Sequence, residues 1–206
     1  MRSVSASAHQ GRGNRFQRRR ERTRGELLAA ATSVLSRQGF HHTTIAEIAA
    51  AADVGVGTFY LHFPTKEALF RAVVEDTVTR LTAAVDAARA SAVDPVGRMR
   101  AANAAFCRFA EKNREVFRIV FGHGATYDDV VRRAQAHFAA DVEETIREGI
   151  ATGTFAPLPP EIVAQAVIGI ATQVLSWWTE HPSATIETLD ETMTTLVLRG
   201  IAPVAP

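Results

Sequence analysis

The residues with the greatest capacity for reaction are few and scattered. Cys107 is the only cysteine in the 206-residue chain. It therefore allows neither an intrachain disulfide nor a cysteine zinc site, and no basic cluster surrounds it to favour a thiolate. A buried, inert thiol is the simpler reading. His137 and Asp141 stand four apart on a helical pattern, a spacing that could orient a ligand or share a metal but is equally that of a surface pair. His41 and His42 are adjacent, and adjacent residues do not share a helix face. With no carboxylate or thiol at ligand spacing they read as a surface loop. These groups form no nucleophile and base set, so neither an enzyme nor a metal or cofactor protein is expected.

A second constellation offers contacts in place of reactions. Thr44 followed by Glu47 is a capping box, and Ile45, Ile48, Ala49 and Ala52 recur at helical spacing, so a short helix with one apolar face follows. Asp53-Val54-Gly55 breaks it. Phe59 and Phe63, four apart, then anchor one side of another short helix, which leaves Gly57, Thr58, Tyr60 and Leu61 pointing outward. Two short helices across a tight turn, the second presenting small, hydroxyl-bearing and aromatic side chains, make a helix-turn-helix.

The run from Thr43 to Leu69, with Thr44, Ile48-Ala49, Gly57-Thr58, Tyr60, His62-Phe63 and Lys66-Glu67-Ala68-Leu69, closely resembles the DNA-binding region of the TetR family of bacterial transcriptional repressors. The close match covers about a quarter of the chain. The resemblance implies a three-helix DNA-binding domain, a larger ligand-binding and dimerisation domain, and repression relieved by a small molecule. Matched position by position, it implies that Thr44 touches phosphate, and that Val56, Gly57, Thr58 and Tyr60 meet bases or backbone in the groove. His62 and Lys66 would contact phosphate. Ala46 stands where some relatives carry a long polar base-reading residue, and Val56 offers only an apolar contact, as to a thymine methyl.

Charge is distributed to suit that assignment. Net charge is +1, yet residues 1 to 66 carry 10 Lys+Arg against 4 Asp+Glu, and residues 67 to 206 carry 13 against 18. The basic part is the one that would release counterions from phosphates. Within it, residues 1 to 24 hold eight arginines against one acid. They read either as a basic flexible arm over 1–22 or as the solvated start of the first helix. Leu27, Ala31, Val34 and Leu35 mark that helix to about Gln38, where Gly39-Phe40 supplies a left-handed cap.

The remainder reads as helices. Thr65 caps a long one running through Phe70, Val73-Val74, Val78, Leu81 and Val85 to about Ala90, with Lys66 an unusual cation in its first turn. Asp94-Pro95 opens the next. Five phenylalanines, Phe106, Phe109, Phe117, Phe121 and Phe138, give this part an aromatic interior. Singly each is a core residue; together they are candidate walls of an apolar ligand pocket. After Pro157-Leu158-Pro159-Pro160 comes a helix with two apolar stripes. Val163, Val167, Ile170, Val174 and Trp177 form one; Ala164, Ile168, Ala171, Leu175 and Trp178 form the other. The second stripe, joined by Leu189, Met193 and Leu196 of the last helix, is expected to pair with a second subunit.

The expected fold is therefore all-α with about nine helices: an arm over 1–22, a helix-turn-helix domain over 23–66 and a ligand-binding and dimerisation domain over 67–206. The expected function is a sequence-specific DNA-binding regulator, a repressor released from double-stranded operator DNA by a small apolar or aromatic ligand. It would work as a cytoplasmic homodimer, with no membrane partner. An activator using the same contacts, or a nonspecific DNA-binding protein, are the alternatives.

Overall fold

The structure is a computed structural model. It describes the backbone of residues 5–122, 128–181 and 183–203, and their side chains except at 5–16, 119, 121, 122 and 128. Among the described residues there are nine helices and no strand: α1 Ser5–His42, α2 Ile45–Ala51, α3 Val56–His62, α4 Lys66–Ala90, α5 Pro95–Lys112, α6 Arg114–Gly122, α7 Asp128–Ala151, α8 Pro160–Glu180 and α9 Ile186–Gly200. Contacts divide them into two compact units, meeting between Val73 and Val74 within α4.

In the first unit, α1 begins at Ser5, so residues 5–22 continue into the first helix. The helix breaks at Gly39, whose φ of 73° and ψ of 171° belong to a region only glycine enters freely. The exposed carbonyls at this end are caught by side chains: Thr43 Oγ1 donates to Gly39 O at 2.7 Å, and Lys66 Nζ donates to Phe40 O. The capping box forms as the sequence implies. Thr44 Oγ1 accepts from Glu47 N at 3.2 Å, and Glu47 Oε2 accepts from Thr44 N at 2.8 Å. Ile48 and Ala49 of α2 and Phe59 of α3 are buried with Leu27, Ala31, Val34 and Leu35 of α1 and with Phe63, Leu69 and Phe70. Because Leu69, Phe70 and Val73 are buried too, the first two turns of α4 belong to this unit, beyond the boundary at 66 that helix starts alone suggested.

In the second unit, α5 is capped by Asp94, whose carboxylate accepts from Gly97 N at 2.9 Å, with Pro95 as its first residue. One core gathers Leu81, Val85, Ala105, Cys107, Ala110, Phe117, Leu175, Trp178, Ile186, Leu189 and Met193; a second gathers Ile146, Phe155, Val163 and Ile201. Gly149 permits the second, since a Cβ there would stand 2.0 Å from the Phe155 ring.

Helix α8 has the length and apolarity of a membrane span, at a mean hydropathy of 1.3. It packs instead on α6, α7 and α9, and Ala164, Leu175 and Trp178 are buried within the chain. The stripe assigned to a second subunit is thereby corrected. Ala164, Leu175, Trp178, Leu189 and Met193 are 4% exposed or less in the isolated chain, and Ile168 and Ala171 line an internal cavity. Of those residues only Leu196 is open, at 59%. The outward face of α8 is Ile162, Ala166, Gly169, Gln173 and Trp177, which fall on one side at helical spacing.

Candidate nucleic-acid interface and apolar cavity

Recognition geometry begins with what is locked. Phe59 is wholly buried and Phe63 nearly so, their rings 6.0 Å apart, so the rotation of α3 about its axis is fixed from inside. Val56, Tyr60 and Leu61 are consequently exposed at 43%, 53% and 73%, with Gly57 exposed and Thr58 half-buried beside them. An apolar and aromatic face of this kind is costly to leave in water and suits a groove displaying thymine methyls and base edges. Thr44 is exposed at the start of α2, its oxygen both accepting from Glu47 N and donating to Glu47 Oε2 at 2.8 Å. The Thr44 main-chain N–H is the chief reason the Glu47 carboxyl lies below its usual range.

His62 is half-buried. Desolvation first, then the charges of Arg20 and Arg24, push its imidazole below the usual histidine range. Arg24 lies over the Phe63 ring at 5.1 Å. Two cations, Arg20 and Arg24, thus lie beside His62 at the end of α3. The arginine run was visible in sequence, but which of its members reach α3 depends on how α1 packs. Lys66 has another occupation: its ammonium sits 4.2 Å from the centre of the Phe40 ring and donates to the Phe40 carbonyl. This gives a cation in the first turn of α4 a structural reason, independent of phosphate.

The second unit holds an open-mouthed cavity of about 160 Å³, walled by α4 to α9. Val78, Leu81 and Val85 line it from α4, Phe106 from α5, Phe117 from α6, Phe138 from α7 and Ile168 from α8. Phe106 meets Phe117 and Phe138 edge-on, at 6.2 and 6.4 Å. Phe109 does not line it: that ring packs against the core and lies 5.9 Å from the Arg80 guanidinium. The side chain of Phe121 lies outside the described residues.

The polar groups at the wall are mostly matched to one another. Asn103 Nδ2 donates to Asp190 Oδ1 at 2.6 Å and to Thr194 Oγ1 at 3.0 Å; Gln135 donates to Thr172 at 3.4 Å; Arg89 pairs with Asp141 at 2.7 Å. The interior therefore favours an apolar occupant over a charged one. Cys107 is buried and its thiol is pushed up to about 12, by desolvation first and by Asp190 second, so it carries no thiolate chemistry.

Comparison with known proteins agrees with this geometry. Residues 27–73 match the family described as "Bacterial regulatory proteins, tetR family", and residues 92–201 match "Tetracyclin repressor-like, C-terminal domain". The HTH-type transcriptional activator FasR of Mycolicibacterium smegmatis is 37% identical over 110 residues, which are 53% of this chain and 49% of FasR, so the match spans about half of that relative. Two solved structures share the fold. The transcriptional regulator FadR of Bacillus subtilis in complex with stearoyl-CoA superposes with a TM-score of 0.71 at 15% identity, covering 85% of this chain and 98% of FadR. RolR in complex with resorcinol superposes at 0.62 and 24% identity, covering 90% of each. An outward-facing helix-turn-helix, nine helices and two family matches that together take in most of the sequence lead to one conclusion: the chain belongs to the TetR family of DNA-binding transcriptional regulators, which are not enzymes.

Proposed function

We propose that the chain is a homodimeric repressor whose grip on operator DNA is loosened by a lipophilic effector in the α4 to α9 cavity. The observation that carries this reading is the continuity of α4. One unbroken helix supplies Leu69, Phe70 and Val73 to the buried interior of the DNA-binding unit and Val78, Leu81 and Val85 to the cavity wall. An occupant that displaces the later turns acts on the same helix that anchors the earlier ones. Two recognition helices read successive major grooves only when they stand about 34 to 36 Å apart, so a small reorientation of each is enough to spoil the fit.

In this reading Thr44, His62, Arg20 and Arg24 meet phosphate, and Val56, Gly57, Thr58 and Tyr60 meet the groove. The subunits meet through Ile162, Ala166, Gly169, Gln173 and Trp177 of α8, with Leu196 of α9. FadR is solved with stearoyl-CoA and RolR with resorcinol, and the apolar wall here suits an acyl chain or an aromatic ring.

The test is fluorescence anisotropy on labelled DNA from upstream of the chain's own coding region. Tyr60→Ala should weaken specific binding by about 1 to 3 kcal/mol with helicity unchanged. Stearoyl-CoA or resorcinol should release the wild-type complex. Unfolding of the Tyr60 variant would put that ring in the core, and a complex indifferent to both ligand chemistries would remove the effector from the proposal. FasR is named an activator, which favours a second reading with the same contacts and the opposite sign. A promoter fused to a reporter separates them, because deletion of the regulator raises expression under a repressor and lowers it under an activator.

A further inference from the structure

Donor atoms from two helices converge where α4 passes α7. His137 Nε2 lies 3.2 Å from Asp86 Oδ1 and 3.5 Å from Asp141 Oδ2, and the donor atoms of all three residues lie within 4.8 Å of one another. The sequence offered His137 and Asp141 as a pair one turn apart on α7. Folding adds Asp86, 51 residues earlier, from α4.

The two separations from His137 are compatible with ligands about an ion. With metal bonds of about 2.0 to 2.2 Å, tetrahedral donors stand about 3.4 Å from each other, a value the two distances bracket. As a hydrogen bond, the 3.5 Å contact is weak. Asp141 Oδ2 is shielded from solvent and accepts no hydrogen bond; besides His137 it faces Arg89 Nη1, an ion pair at 2.7 Å. Arg89 spends its other terminal nitrogen on the Asp141 carbonyl at 3.1 Å and on Thr145 Oγ1 at 3.4 Å, which fixes both side chains against α7.

Charge points the same way. Asp86, Asp141 and Glu144, the last 4.0 Å from Arg89, set three carboxylates against one guanidinium, an excess of acidic groups around the site. One imidazole nitrogen with two carboxylate oxygens is a borderline donor set, suited to Zn²⁺ and its first-row neighbours, whereas Mg²⁺ and Ca²⁺ take oxygen throughout. His137 and Asp86 are 44% and 42% exposed, which leaves an entry path and a fourth position facing solvent.

We propose that Asp86, His137 and Asp141 form a site for a divalent transition-metal ion, best matched by Zn²⁺, that clamps α4 to α7 at the edge of the cavity. Arg89 orients the Asp141 carboxylate. Metal binding here needs nothing in the cavity, although Arg89 and Asp141 also line it.

The experiment is titration of full-length, chelator-stripped protein with Co²⁺, read by visible ligand-field absorption, followed by displacement with Zn²⁺ and calorimetry of Zn²⁺ alone. The expected result is one saturable site per chain. His137→Ala and Asp86→Asn should each weaken it at least about tenfold, while a variant with His41 and His42 both changed to Ala keeps it. Both substituted residues are substantially exposed, so the fold survives, and circular dichroism checks each variant. If His137→Ala nevertheless fails to fold, Asp86→Asn alone decides. No saturable binding by wild type, or binding that persists undiminished in the folded variants, overturns the site and leaves His137 as a hydrogen-bonding partner of Asp86.

Discussion

The Lys66 ammonium lies 4.2 Å from the centroid of the Phe40 ring and donates to the Phe40 carbonyl, so one side chain at the start of α4 closes the end of α1. A cation at a helix N-terminus is mildly unfavourable, but the same charge set against the C-terminal carbonyls of another helix is favourable. Phe40 in turn meets Phe70 edge-on at 5.1 Å, which ties the contact into the core. Lys66→Met should therefore destabilise the first unit by about 1 to 3 kcal/mol, the range for a charged hydrogen bond with a cation–π component. Chemical denaturation measures this. The salt dependence of operator binding should stay unchanged, and a slope reduced by about one charge would give Lys66 a phosphate as well.

His62 supplies a pH dependence with a definite sign. Its pKa is lowered on folding, by burial ahead of Arg20 and Arg24, so its contribution to stability is complete above the unfolded value of about 6.5. That contribution is lost as pH falls through 6.5 toward the folded value. A phosphate beside Arg20 and Arg24 offsets their repulsion and raises the pKa again, so operator binding takes up a proton and gains affinity as pH falls through the pKa of His62 in the complex. Anisotropy titrations at pH about 7.5 and about 5.5 should show a gain in wild type that His62→Gln lacks. Identical pH profiles would take His62 out of the phosphate contacts.

Much of the first unit was legible because its determinants are local. Thr44 and Glu47 are three apart, Phe59 and Phe63 four, and those spacings alone set the cap and the inward side of α3. The second unit was less legible. Periodicity grouped Ala164, Ile168, Ala171, Leu175 and Trp178 correctly as one stripe, but a helix apolar on two sides does not announce which side its own chain covers. Only the packing of α6, α7 and α9 turns that stripe inward, and only packing separates Phe106, at the cavity, from Phe109, in the core. Asp86 against His137, and the charges of Arg20 and Arg24 felt by His62, likewise arise between helices and are encoded by no spacing within one helix.

The outward face of α8 makes the dimer testable without touching the core. A Cβ added at Gly169 meets nothing within 4 Å, so Gly169→Arg is accommodated by the isolated chain. Set across a close helix pairing, it would block approach. Sedimentation should give a folded monomer with lost operator affinity. Ile168→Arg, one residue away, instead puts an unpaired charge against the cavity wall and should cost several kcal/mol of stability. A Gly169→Arg protein that still sediments as a dimer would move the interface off this face.

Ala134 lines the cavity from α7, and a larger side chain there occupies effector volume from within. Ala134→Phe should cost no more than about 1 to 3 kcal/mol, because the added ring enters existing space before it strains the wall. Operator binding should remain while release by stearoyl-CoA or resorcinol is lost. Linkage supplies the complementary measurement. If an effector weakens operator binding by a coupling of about 1 to 3 kcal/mol, operator must weaken effector binding by the same factor. Calorimetry of wild type with the active ligand, with and without operator, should give affinities differing by that factor, and Ala134→Phe should give no heat of binding in either titration. Equal affinities in the two wild-type titrations would mean that the cavity takes ligand without moving α4, and the regulator would then answer to something other than its pocket.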